Sequence, residues 1–187
     1  MDFLDALLGR TRLPRPDEER LFAMSTAVVG LEAAGLRPAG RAGIVVRRLA
    51  PGRFDQLEAE LRQLLSLLDE EGRPTVEVQR DELGFDWLVL AGGGFQESLV
   101  GLHAVATRFL EEGLGDLLLA AVIRFDQSGR SVYWIYAYRR ARFYPFVPVG
   151  ERRRDNAEEL RLAALAGEEL PVEEEMDRWY PLWGLPV

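Results

Sequence analysis

His103, Tyr144, Arg152 and Asp155 are the side chains of this sequence best suited to acid–base or anion-binding chemistry. An imidazole that titrates near neutrality, a phenol, a guanidinium and a carboxylate, gathered in one cleft, would make a small-ligand pocket or a catalytic centre. The palette around them is narrow. All 23 basic side chains are arginine, so Schiff-base and P-loop lysine chemistry have no residue to carry them. Cysteine is absent and His103 is the single histidine, which rules out the common zinc sets and thiolate catalysis. His103 also lies at the edge of the apolar stripe Leu99, Leu102, Ala106 and Leu110, where a histidine more commonly serves packing.

Other constellations read as structural. Gly92-Gly93-Gly94 between a strand and a helix exposes backbone N–H groups, but the spacing fits neither dinucleotide nor P-loop signatures, and Glu97 in the first helical turn repels phosphate. No serine has the Gly-x-Ser-x-Gly context of a nucleophile elbow. The acids Glu168, Glu169, Glu173, Glu174 and Glu175 lack the glycine and alternation of a calcium loop and read as a solvated face. No catalytic residue, metal set or cofactor is assigned. The stretch from Val132 to Phe146 interleaves Tyr133, Trp134, Tyr136, Tyr138, Phe143, Tyr144 and Phe146 with Arg139, Arg140 and Arg142. The RNA-recognition pattern of basic, glycine and aromatic positions is missing, and a formal net charge of -8 opposes a phosphate backbone, so nucleic acid is a poor partner. Aromatics on two faces of a sheet explain the stretch, and a protein-contact patch is the next reading, since tyrosine, tryptophan and arginine anchor interfaces.

The elements that must position these groups follow from periodicity and punctuation. Phe3, Leu4, Leu7 and Leu8 mark one side of a short helix, and residues 9–16 form an aperiodic tether with Arg10, Arg12, Arg15 and two prolines. A helix is predicted to start after Asp17 and run to about Gly35, with Ser25-Thr26 a candidate break. Gly43–Leu49 reads as a strand, and Phe54, Leu57, Leu61, Leu64, Leu65 and Leu68 as an amphipathic helix closed by Gly72. Thr75–Arg80 and Phe85–Ala91 form a hairpin, and Phe95 to Leu110 a second amphipathic helix ended by Gly113. A second hairpin pairs Leu117–Phe125 with Ser131–Arg139. Asp155 and Glu158 cap a helix to Ala166, and a short last helix leads to Trp179-Tyr180-Pro181-Leu182-Trp183.

This order predicts an α+β fold: an antiparallel sheet of about five strands with helices on one face, a ferredoxin-like core with an added strand. The alternative treats residues 53–71 as an insertion into a secretion-chaperone-like arrangement. At 187 residues the chain suits one domain, residues 17–187, preceded by the short helix and tether of residues 1–16. The opening Met-Asp-Phe-Leu-Asp is acidic where a secretory leader is basic, and no apolar run approaches the ~20 residues of a membrane span. A cytoplasmic protein is expected.

Three blocks carry a resemblance: MDFLDALLGR with LFAMSTA soon after, LHAV inside the second long helix, and FYPFVPVGERRRDNAEELRLAALAGEELPVEEEMDRWYPLWG at the end. Together they resemble the phage-shock-protein-A-associated family PspAB, of actinobacteria and related bacteria, over nearly the whole chain. Ser25 stands where that family favours proline, and the basic residue before the FYPF block is arginine where lysine is frequent. The resemblance implies an accessory or adaptor protein of the envelope-stress response. Its partner would be PspA, a coiled-coil protein of stressed inner membranes, so that any membrane association is indirect. It implies no catalytic residues. Within that reading the candidate contact residues are Phe3, Leu4, Leu7 and Leu8 on the first helix, with Arg139, Arg140, Arg142, Tyr144, Arg152 and Arg153 nearer the C-terminus.

Overall fold

The computed structural model describes residues 19–48, 52–67 and 73–187. The predicted Phe3–Leu8 helix and its tether lie outside the described residues. A 3-10 turn, Glu19–Phe22, leads into helix α1, Ala23–Ala33; then follow strand β1, Arg37–Val46, and helix α2, Arg53–Leu65. The hairpin of β2, Thr75–Arg80, and β3, Asp86–Ala91, precedes helix α3, Phe95–Glu111. Strands β4, Leu118–Gln127, β5, Arg130–Ala137, and β6, Arg142–Phe146, come next, and helix α4, Asn156–Ala166, is followed by a 3-10 turn, Met176–Arg178, the short last helix predicted before the tail. Ser25 does not break α1: its hydroxyl donates to the Phe22 carbonyl at 2.7 Å, which seats it inside the first turn.

One six-stranded sheet holds the order β2-β3-β1-β4-β5-β6, with every neighbouring pair antiparallel. The first four strands, with α2 between β1 and β2 and α3 between β3 and β4, reproduce the split βαββαβ arrangement of ferredoxin-like folds. The expected core is therefore present. Helix α2 packs on β2 and on α3, so residues 53–65 belong to this core, and the insertion reading is set aside. Two strands are added where one was predicted, because β6 is the FYPF segment. Pro145 lacks an N–H to donate, a loss tolerated on β6 because it is the sheet edge.

Alternation along the strands divides the interior into two cores. Ile44, Val46, Leu88, Leu90, Ile123, Phe125, Trp134 and Tyr136 face the helices and bury Met24, Leu31, Leu102, Phe109 and Leu162. Gly101 allows α3 to approach: a Cβ there would stand 2.6 Å from the Leu90 Cδ1. Val45, Trp87, Val89, Val122, Ile135, Tyr144 and Phe146 point the other way, and the C-terminal tail covers them with Trp179, Leu182, Leu185 and Val187. All six positions of β3 are buried because both faces are roofed. The β2–β3 turn is fixed by Asp81, whose carboxylate accepts from the Leu83 and Phe85 N–H groups, each at 2.9 Å, and from the Trp87 indole at 3.0 Å.

Candidate functional site

The four residues nominated for a pocket do not share one. His103 stands on the helix side of the sheet, its ring 4.8 Å from that of Phe22 and its Nε2 3.4 Å from the Thr107 hydroxyl. Tyr144 is in the opposite core, beneath the tail, where its hydroxyl donates to the Tyr180 carbonyl at 3.2 Å. Burial pushes its phenol well above the ordinary value, which leaves it no use as a base. Asp155 accepts the Glu158 N–H at 3.1 Å as the cap of α4, and it meets Arg130 at 3.3 Å. Arg152 is exposed, with a φ of 50°, in the turn before it. The sheet stands between His103 and Tyr144, so sequence proximity of Tyr144, Arg152 and Asp155 does not become a cleft. The His103→Gln variant is accordingly expected to shift the melting temperature by only a few degrees, about 1 kcal/mol or less, as read by differential scanning fluorimetry.

The Gly92-Gly93-Gly94 run is a turn: Gly92 and Gly93 have φ of 72° and 74°, and the Gly92 N–H donates to the Gly40 carbonyl at 2.8 Å. A Cβ on Gly94 would fall against the Glu97 carboxylate, so an acid covers this helix start and no anion cradle forms. In the acidic cluster, Glu173 is buried, and it receives Arg140 at 3.3 Å and Arg178 at 3.7 Å. Among the described residues no three acids or histidines group as a metal would require.

The candidate contact arginines separate into two sets. Arg139, Arg140 and Arg142 lie where β5 turns into β6, at one end of the sheet. Arg152 and Arg153 lie past the other end of β6, a strand of five residues that spans about 13 Å. The first set is partly engaged: Arg140 holds Glu173, and Arg142 donates to the Val172 carbonyl at 3.4 Å, so both clamp the strand-like segment before the tail. Arg152 and Arg153 are exposed. Phe3, Leu4, Leu7 and Leu8 lie outside the described residues.

A further surface was not legible in the residues. Helices α2 and α3 leave a groove of about 290 Å³, lined by Leu57, Leu64, Leu88, Val105 and Phe109, with Glu60, Arg108 and Glu111 at its edge. Arg108 ties the rim together, 2.8 Å from Glu60 across the two helices and 2.8 Å from Glu112 along its own. Leu64 is 45% exposed and Leu67, just past α2, is 84% exposed. The leucine periodicity that predicts α2 contains this surface, but it does not tell which leucines meet the sheet.

No helix among the described residues is long and apolar enough to cross a membrane. Searches of curated proteins and of solved structures return no match. The family described as PspAB, PspA associated protein B, matches residues 1–187, the whole chain, and the chain belongs to that family.

Proposed function

We propose that this member of the PspAB family is a non-enzymatic, cytoplasmic accessory protein that binds a PspA-type coiled-coil protein directly and acts with it in the envelope-stress response. The observation that carries the reading is the family match across all 187 residues, whose description names association with PspA. Two features of the fold support it. The groove between α2 and α3 has the apolar floor and charged rim that receive the apolar side of a partner helix. The exposed Arg152 and Arg153 offer a second, electrostatic contact on a chain that is otherwise acidic. Attachment to the inner membrane then comes through the partner.

Titration of purified PspA into the full-length chain tests this, at low and at high salt, with Leu64→Asp and the double change Arg152→Glu, Arg153→Glu in parallel. Leu64→Asp is expected to weaken binding at least tenfold at both salt concentrations, because it places a charge where the apolar side of the helix would sit. The arginine double variant is expected to bind more weakly at low salt and to converge with the parent chain at high salt, since a rim charge acts within a Debye length. Binding by the parent chain that both variants leave unchanged would move the interface to the Phe3–Leu8 segment. No binding in any condition reduces the link to an indirect, genetic one and rejects the direct-adaptor reading.

A further inference from the structure

Leu57 to Leu64 on one wall and Val105 to Glu111 on the other make the groove between α2 and α3 about 9–11 Å long. A helix over Phe3–Leu8, as its apolar spacing predicts, is about 9 Å long and carries Phe3 and Leu7 one turn apart on one side. A cavity of about 150 Å³ takes one benzene ring. The groove, at about 290 Å³, therefore takes about two side chains of that size. Length and volume both suit the segment.

The described part of the chain begins beside this groove. The turn Glu19–Phe22 packs on α3, and the Phe22 ring lies 4.8 Å from that of His103, whose neighbour Ala104 lines the groove. Residues 9–18 can span about 33 Å, against the roughly 10–12 Å breadth of the helix they must cross. Charge agrees with reach. Arg108 is shared by Glu60 at 2.8 Å, Glu112 at 2.8 Å and Glu111 at 3.7 Å, and Arg53 also meets Glu112, so among the described residues three rim carboxylates face two guanidiniums. Glu111, the most loosely held, is 62% exposed. The tether carries Arg10, Arg12 and Arg15, with no acid between Ala6 and Pro16.

We propose that the Phe3–Leu8 segment of this chain occupies the groove between α2 and α3, and that a partner helix enters by displacing it. The displacement rests on the reading of the groove as the PspA-binding surface; the occupancy does not. The apolar side of the segment covers Leu64, and the tether arginines meet Glu60 and Glu111. A tether this short holds the segment at an effective concentration on the order of millimolar, so even a weak contact keeps the groove filled. The partner's apparent affinity is then reduced by the fraction of chains in which the groove is open.

Because the sequence has no cysteine, disulfide trapping in the full-length chain tests the occupancy cleanly. Leu7→Cys with Leu64→Cys is expected to cross-link within one chain at least tenfold faster than Leu7→Cys with Leu165→Cys. Leu165 on α4, over the opposite edge of the sheet from α2, is 43% exposed against 45% for Leu64, so the two positions are comparably accessible. Adding Phe3→Asp to the first pair is expected to slow it to the rate of the second. In a separate titration, Leu7→Asp is expected to bind PspA about three- to tenfold more tightly than the parent chain, since the competitor is released. Equal cross-linking of the two pairs, no effect of Phe3→Asp, or disulfides that join two chains instead of one overturns the occupancy. PspA binding that Leu7→Asp leaves unchanged or weakens overturns the displacement. If PspA binds neither chain, the adaptor reading fails and the cross-linking rates still decide the occupancy.

Discussion

A chain ending at Met176 is expected to lose most of its folding stability, because residues 177–187 are the roof of the second core. Trp179 is 5% exposed and Val187 3%, and both lie against Trp87, Val89, Ile135 and Phe146 on the sheet face away from the helices. The fit is close enough that a Cβ on Gly43 would stand 2.9 Å from the Val187 Cγ1. Tryptophan buries about 150–250 Å², which at about 25 cal/mol per Å² is roughly 4–6 kcal/mol for Trp179. The tail also satisfies polar groups: the Trp179 indole donates to the Glu173 carbonyl at 2.8 Å, and the Trp179 carbonyl accepts from Arg154 at 2.6 Å. A domain is stable by only about 5–15 kcal/mol, so the deletion removes a large part of the total. Urea denaturation should show a midpoint collapse, with binding of a hydrophobic dye at zero denaturant. Trp179→Ala, at about 3–5 kcal/mol, is the milder form of the same experiment. An unchanged midpoint with lost PspA binding would make the tail an interaction arm instead.

Replacing Glu159 by alanine is expected to cost nearly as much, about 3–5 kcal/mol. Glu159 is fully buried, and both its oxygens receive the Arg154 Nε, at 2.9 and 2.7 Å, while Oε1 also accepts the Val147 N–H at 2.8 Å. Arg154 in turn holds the Trp179 carbonyl and lies 5.4 Å from the centre of the Phe146 ring. One carboxylate thus joins α4, the end of β6 and the tail, and its removal strands a cation whose side chain is only 19% exposed. Its pH dependence has a definite sign. Burial raises the Glu159 carboxyl above its ordinary 4.5, outweighing the Arg154 and Val147 hydrogen bonds that lower it. The folded state therefore binds this proton more tightly than the unfolded chain. The contribution of the group is full below the unfolded value and is lost as pH rises through the folded one. Denaturation of the parent chain and of Glu159→Gln across a pH series starting at 4.5 reads this out: the parent's advantage should shrink as pH rises. An advantage that grows with pH would place the Glu159 carboxyl below its ordinary value, with Arg154 dominating over burial.

Local patterning determined most of the elements. The spacing of Leu99, Leu102, Ala106 and Phe109 on α3, the turn chemistry at Asp81–Gly84 and the Asp155 cap of α4 each act within a few residues, and all three appear in the structure. The α+β class and the ferredoxin-like core follow from the order of those elements, and the family follows from blocks that run the length of the chain. The paired strand β6 was not legible, because Pro145 argues against a strand until its position at the sheet edge is known. Strand β1 begins six residues before the predicted Gly43, since Pro38 and Gly40 read as breakers until β4 pairs with that segment.

Which residues share a site was decided only by tertiary structure. A strand sends neighbouring side chains to opposite faces, and a sheet six strands wide separates those faces completely. His103 and Tyr144 therefore fall into different cores, and Arg142 and Arg152 onto opposite ends of β6, although nothing in their spacing announces it. Conversely, Glu60 and Arg108 are distant in sequence and meet at 2.8 Å because α2 and α3 pack side by side. Residue types fix which chemistry is possible. Strand order and register fix which of those groups can reach one another, because both are set by long-range pairing that no local window contains.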